Sequence, residues 1–267
     1  MSALGRGLGR VLAAPELWLG TWLGLVLWAS LLGWIVQSVV AAAVMPFGAM
    51  EPDHVIFGLL DVLGEHRGAA ATVLAALSVS GALSAVIWLV LAPVVIARLS
   101  DEGSWSQVGA RALPELPAVL VQTLWHGVLR ALLVLAVLLS VQPLPAAVGW
   151  SLLGLGWLWC TVALDAARVA VVEHGAAPFH VRSAAQGFVY TIRRPALLLP
   201  CALMSLGQWL ITATALWLSL AGIVDGTPWG PRGLAALSVG LGLWRVATMV
   251  ARQKDDPPPT PDAAPQE

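Results

Sequence analysis

Five ionisable side chains and one amide lie where the sequence is otherwise apolar: Gln122, His126, Arg130, Asp165, Arg168 and Arg245. The first three follow at i, i+4 and i+8, so a helix carrying them presents all three on one face. Asp165 and Arg168 stand three residues apart and can pair within one helix. A charge at the centre of a bilayer costs roughly 2.5–3.5 kcal/mol on insertion scales, so such residues face a bundle interior or a cavity. With three arginines against one aspartate, the chemistry on offer is capture of an anion by guanidinium forks, either a lipid headgroup or a small anion. The competing reading is that Arg130, Arg168 and Arg245 snorkel to the headgroups while Asp165 serves as an intrahelical partner. Both readings stand at this stage.

The elements that must position these residues are apolar spans. Of 267 residues, 58% are hydrophobic and only 11% charged, too little charge to wet the surface of a soluble domain of this length. Net charge is −1 and the basic residues are dispersed, which excludes a phosphate-tracking nucleic-acid surface. Lys254 is the lone lysine; arginine use together with Ala, Leu and Gly richness suggests a GC-rich bacterial genome. Cys160 and Cys201 fall within apolar spans and match no ligand or redox spacing, so both read as small buried residues.

About 20 apolar residues cross a bilayer as a helix, and backbone buried in lipid must satisfy its own polar groups. The sequence predicts an all-α polytopic membrane helix bundle with six transmembrane helices at about 17–44, 70–97, 121–142, 147–171, 196–223 and 233–251. The first of these is too long for a cleaved secretory signal. Residues 1–252 form the membrane domain, and 253–267 a Pro-rich cytoplasmic tail without fixed structure. Arg6, Arg10, Arg98, Arg111, Arg182, Arg193, Arg194, Arg252 and Lys254 fall at the N-terminus, in alternate loops and at the C-terminus, which predicts both termini cytoplasmic in a bacterial inner membrane. The link between the third and fourth spans is short, so these are antiparallel neighbours, and Arg130 and Asp165 are expected to approach one another.

Short amphipathic helices at the membrane interface are predicted near 55–63, 104–116 and 179–193, although Pro114 and Pro117 interrupt the second. The two cytoplasmic ones have similar surroundings, a weak sign of an internal repeat. Ala76, Ser80 and Ser84 form a small-residue face suited to close helix packing, and Gln208 is placed for an interhelical hydrogen bond.

No Walker sequence, G-x-S-x-G or H-E-x-x-H occurs, and neither Asp53-His54 nor Glu65-His66 has a metal-ligand spacing. No metal, cofactor or catalytic residue is assigned. From the fourth span onward, Asp165-x-x-Arg168, Val171-Val172-Glu173, an Ala-rich cytoplasmic helix and Arg193-Arg194-Pro195 follow in order. This layout resembles six-span bacterial membrane proteins of unknown function, themselves loosely similar to the membrane domain attached to some glycerophosphodiesterases. The resemblance implies a multi-pass topology and brings no activity with it. The expectation is a non-enzymatic membrane accessory or transport-related subunit contacting anionic lipid or a small anion. Its expected partners are membrane lipids and either another membrane protein or a second copy of the chain. An intramembrane lipid-modifying enzyme and a structural subunit of a larger complex are the alternatives.

Overall fold

The computed structural model describes residues 2–44, 65–100, 103–140, 146–175, 181–220 and 229–256, and all regular structure among them is helical. The helices are α1 (Ala3–Ala13), α2 (Pro15–Val44), α3 (Arg67–Ser100), α4 (Trp105–Ser140), α5 (Ala146–His174), α6 (Val181–Ile192), α7 (Pro195–Leu220) and α8 (Trp229–Asp255). The expected interfacial helix at 55–63 and the chain beyond Asp256 lie outside the described residues.

Local chemistry sets the boundaries. Ser2 caps α1, its Oγ accepting the Gly5 N–H at 3.3 Å. Pro15 disfavours helical backbone at Ala14 but suits the first position of a new helix, so α1 and α2 meet at a 74° bend. Gly175 ends α5 with a left-handed backbone (φ 62°), its N–H returning to the Val171 carbonyl at 2.9 Å. Pro195 opens α7 in the same way that Pro15 opens α2.

The protein is a multi-pass, membrane-embedded helix bundle, but the expectation of six spans is corrected. Among the described residues, four helices are long and apolar enough to cross a membrane: Trp105–Ala136, Ser151–His174, Pro195–Ala215 and Arg232–Asp255. A fifth follows if the bent pair Ala3–Ala13 and Pro15–Trp28 counts as one span, whereas Val86–Ser100 in α3 is a shorter apolar helix. The difference falls on the first two expected spans: Pro15–Trp28 of α2 counts only together with α1 across the bend, and α3 contributes only Val86–Ser100.

Two further expectations change. The segment 104–116 is no separate interfacial helix, because α4 runs unbroken through Pro114 and Pro117. Neighbouring helices and local adjustment absorb the lost backbone bonds in such bundles. The tail does not begin at 253 either: α8 continues to Asp255, and Gln253 is 1% exposed, with its Nε2 donating to the Ala166 carbonyl at 2.8 Å.

Helix α5 is the most enclosed of the four spans, with every residue from Val162 to Ala167 buried. One apolar core joins it to α3, α4, α7 and α8 through residues such as Ile96, Val119, Val162, Cys201 and Met249. A second joins α1 and α2 to α3 and α8 through Val11, Leu17, Leu99 and Leu243. Gly7 lets α1 touch the α8 backbone, since a Cβ there would lie 2.7 Å from the Thr248 nitrogen. Ion pairs gather at one end of the bundle: Arg6–Asp255, Arg98–Glu16, Arg111–Glu173 and Arg194–Asp256. The N-terminal and C-terminal helices therefore meet at the same end.

Candidate functional site

Because Asp165 sits on the most enclosed helix, its charge demands a partner, and α8 supplies one. Arg245 Nε donates to Asp165 Oδ2 at 2.6 Å, with only 10% and 8% of the two side chains exposed. The same guanidinium donates through Nη1 to Ser205 Oγ at 2.8 Å and to Gln208 Oε1 at 2.9 Å on α7. Gly242 makes room for that amide: a Cβ there would stand 3.1 Å from Gln208 Nε2. Three helices thus converge on one arginine, and charge-assisted bonds of this kind are about twice as strong as neutral ones.

Next to this pair is a cavity of about 220 Å³, lined by Asp165, Arg168, Gln208 and Arg245 and walled by apolar residues of α3 and α8, including Trp88 and Leu243. It lies about 8–12 Å along α5 from Glu173 in the charged end, taking a rise of 1.5 Å per residue over the five to eight intervening positions. Arg168 also lines it. Its Nε and Nη2 donate to the Thr123 hydroxyl of α4 at 3.2 and 2.8 Å, a neutral partner for a charged group.

Two expected pairings are corrected. Asp165 makes its ion pair with Arg245 rather than Arg130, and Arg168 turns to Thr123 instead of pairing along its own helix. Arg130 donates Nη2 to Thr161 Oγ1 at 2.9 Å and lies 4.9 Å from the centre of the Trp157 ring. Trp157, Thr161 and Asp165 follow at four-residue steps on α5, so Arg130 meets that helix one turn away from the carboxylate.

His126 and Gln122 are fully buried, but they belong to a different junction. His126 Nδ1 donates to the Gln122 carbonyl at 2.9 Å, and its ring stacks on Phe188 of α6 with centroids 5.2 Å apart. Trp159 meets Phe188 edge-on at 5.1 Å and donates Nε1 to Thr191 Oγ1 at 3.1 Å. His126 Nε2 has no hydrogen-bond partner among the described residues. Gly187 permits this packing, since a Cβ there would stand 2.4 Å from the Ala163 carbonyl oxygen. Helix α6 is therefore seated on α5, and its Tyr190 is buried at the charged end, where burial pushes the phenol up to about 12.

The six candidate residues thus separate. Asp165, Arg168 and Arg245 share the cavity; Arg130 lies one turn off it; His126 fastens α4 to α6, and Gln122 holds the imidazole through its carbonyl. Sequence reading missed Ser205, Thr123 and Thr161, single hydroxyls in apolar helices that become visible only once a guanidinium reaches them. Comparison of the chain with protein-family models, curated proteins and solved structures finds no match.

Proposed function

We propose that this chain is a non-enzymatic membrane protein, an accessory or transport-related subunit, whose buried cavity takes a small anionic group, either a headgroup phosphate or a free anion. One observation carries the reading: the cavity is lined by two guanidinium groups and one carboxylate, and that carboxylate is committed to Arg245. Arg168 is left with a hydroxyl as its partner among the described residues, a charge open to an anion. At about 220 Å³ the space is smaller than the ~300–1,000 Å³ of drug-sized sites, which suits one compact polar group. The enzymatic alternative asks for more than one acid near Asp165, and among the described residues Asp165 is the single acid lining the cavity.

The same reading puts the charged end on the cytoplasmic face of a bacterial inner membrane, because Arg6, Arg98, Arg111, Arg194 and Lys254 collect there and short basic segments stay cytoplasmic. Reporters fused after Gln142 and after Glu173 test this; a cytoplasmic signal from the first would overturn it. The function itself is tested by native mass spectrometry of protein released gently from its own membrane. A copurifying anion absent from Arg168→Ala but kept in Arg130→Ala is the expected result. As many anions bound per protein in Arg168→Ala as in the wild type would refute the cavity as a site for one.

A further inference from the structure

At the charged end, a second cavity of about 400 Å³ opens where the start of α1, the α6–α7 corner and the last turns of α8 meet. Its charged lining is Arg193, Arg194 and Arg252, with no acid among the described residues that bound it. Arg194 is held in place: its guanidinium lies 4.0 Å from the Tyr190 ring centre and donates Nε and Nη2 to Asp256 Oδ2 at 2.8 and 2.6 Å. Arg252 shares that same oxygen at 3.4 Å. Arg193 is exposed and has no carboxylate partner among the described residues. Two of the three cations thus share one carboxylate, and the third has none among the described residues.

Helix polarity sharpens the imbalance. The N-terminus of α1, at Ser2, Ala3 and Leu4, and that of α7, at Pro195, Ala196 and Leu197, border the same cavity. Helix N-termini carry partial positive charge and favour anions, so arginines are misplaced there unless a negative group lies between them. Asp256 supplies one such charge to Arg194 and Arg252 from outside the lining, and among the described residues Arg193 has none.

The same three helices, α1, α7 and α8, also border an apolar space. Further along α8, Leu237, Gly240, Leu241 and Trp244 line a second recess of about 360 Å³ with Ile211 of α7 and Leu8 of α1. From Arg252 to Leu241 is eleven residues, about 16 Å of helix. Helix α1 borders both spaces, pinned by Gly7 against Thr248 and by Trp244 Nε1 donating to the Leu4 carbonyl at 3.0 Å. A cationic head space at the charged end and an apolar space one chain-length deeper match the two halves of a phospholipid.

We propose that the face formed by α1, α7 and α8 binds one anionic phospholipid, its phosphate among Arg193, Arg194 and Arg252 and an acyl chain in the recess beside Leu241. This site shares no residue with the buried cavity, so it stands or falls independently of the proposed function.

The test uses the full-length protein in vesicles of equal phosphatidylglycerol and phosphatidylcholine, with retained lipid read by native mass spectrometry after gentle detergent release. One phosphatidylglycerol is expected on the wild-type protein, in preference to phosphatidylcholine. Arg193→Gln and Arg252→Gln should each lower its retention about fivefold, the worth of one arginine near a charged membrane surface. Neither arginine packs in the apolar core, so both variants should fold; an unchanged melting temperature checks that. Arg168→Ala should leave retention intact, which separates this site from the buried one. Equal retention of the two lipids, or phosphatidylglycerol retention indifferent to both glutamine variants, would overturn the proposal. So would displacement by glycerol phosphate alone as efficiently as by whole lipid, which would make this a site for a water-soluble phosphate.

Discussion

Removing the carboxylate of Asp165 is the sharpest perturbation available, because it strips the one acid from a cavity that also holds two guanidinium groups. In Asp165→Asn the shape and the hydrogen-bond acceptor toward Arg245 Nε survive, so the change isolates the charge. Arg245 keeps Ser205 and Gln208, both neutral, and remains as buried as before. Breaking a buried ion pair by deleting one partner costs about 3–5 kcal/mol, against about 0–1 kcal/mol for an exposed pair. With the two side chains only 10% and 8% exposed, the buried figure applies, which is roughly two to three and a half decades in the folding equilibrium. Equilibrium unfolding in mixed micelles measures this directly. Asp165→Leu combined with Arg245→Met should recover most of the loss, since apolar replacement of both partners removes the stranded charge together with its desolvation penalty. The cavity in Asp165→Asn also holds two uncompensated arginines in place of one, so anion retention should rise while stability falls. A cost below about 1 kcal/mol would refute the reasoning by showing that water screens the pair. A double variant as unstable as the two single losses added together would refute it as well.

Other expectations follow from close packing and from the helix end. Gly187→Val should destabilise the bundle by about 1–3 kcal/mol, because its Cβ collides with the Ala163 carbonyl and lifts α6 from α5; protease cleavage within 181–192 reports the detachment. Gly7→Val meets the Thr248 backbone and should release α1, read as increased labelling of a cysteine introduced at Leu4, while the unfolding midpoint of the remaining bundle moves less. Gln253→Leu deprives the Ala166 carbonyl of a buried donor and should cost about 1–3 kcal/mol by thermal melting, a loss that an unstructured tail would not register. Truncation after Arg252 removes Gln253, Asp255 and Asp256 together with their bonds to Ala166, Arg6 and Arg194, and should lower the midpoint.

How much of this was legible in the sequence depends on whether the information was local. Apolar runs identify helices in lipid without any knowledge of neighbours, because the backbone has no other way to satisfy itself there. Pro15 and Gly175 act within one turn, and their effects follow from their own backbone preferences. The membrane charges were legible for the same reason: Asp165, Arg168 and Arg245 are conspicuous against apolar surroundings, and the three do share a cavity. Their pairing was not legible. Sequence proximity favoured Arg168, and the short link between spans favoured Arg130, but both criteria follow chain order. The partner that Asp165 takes lies eighty residues away on α8, brought there by the packing of α5 against two helices at once. Gly187 and Gly7 teach the same lesson. Each resembles any other glycine in an apolar helix, and each becomes indispensable only when a second backbone arrives within reach of its missing Cβ. The tail boundary failed for the opposite reason. Gln-Lys-Asp-Asp is polar enough to read as solvent-exposed, yet it supplies the donor to Ala166 and the two carboxylates that hold Arg6 and Arg194. At the end of a membrane bundle polarity marks the residues that tie helix termini together as well as those that leave them, and only the partners distinguish the two.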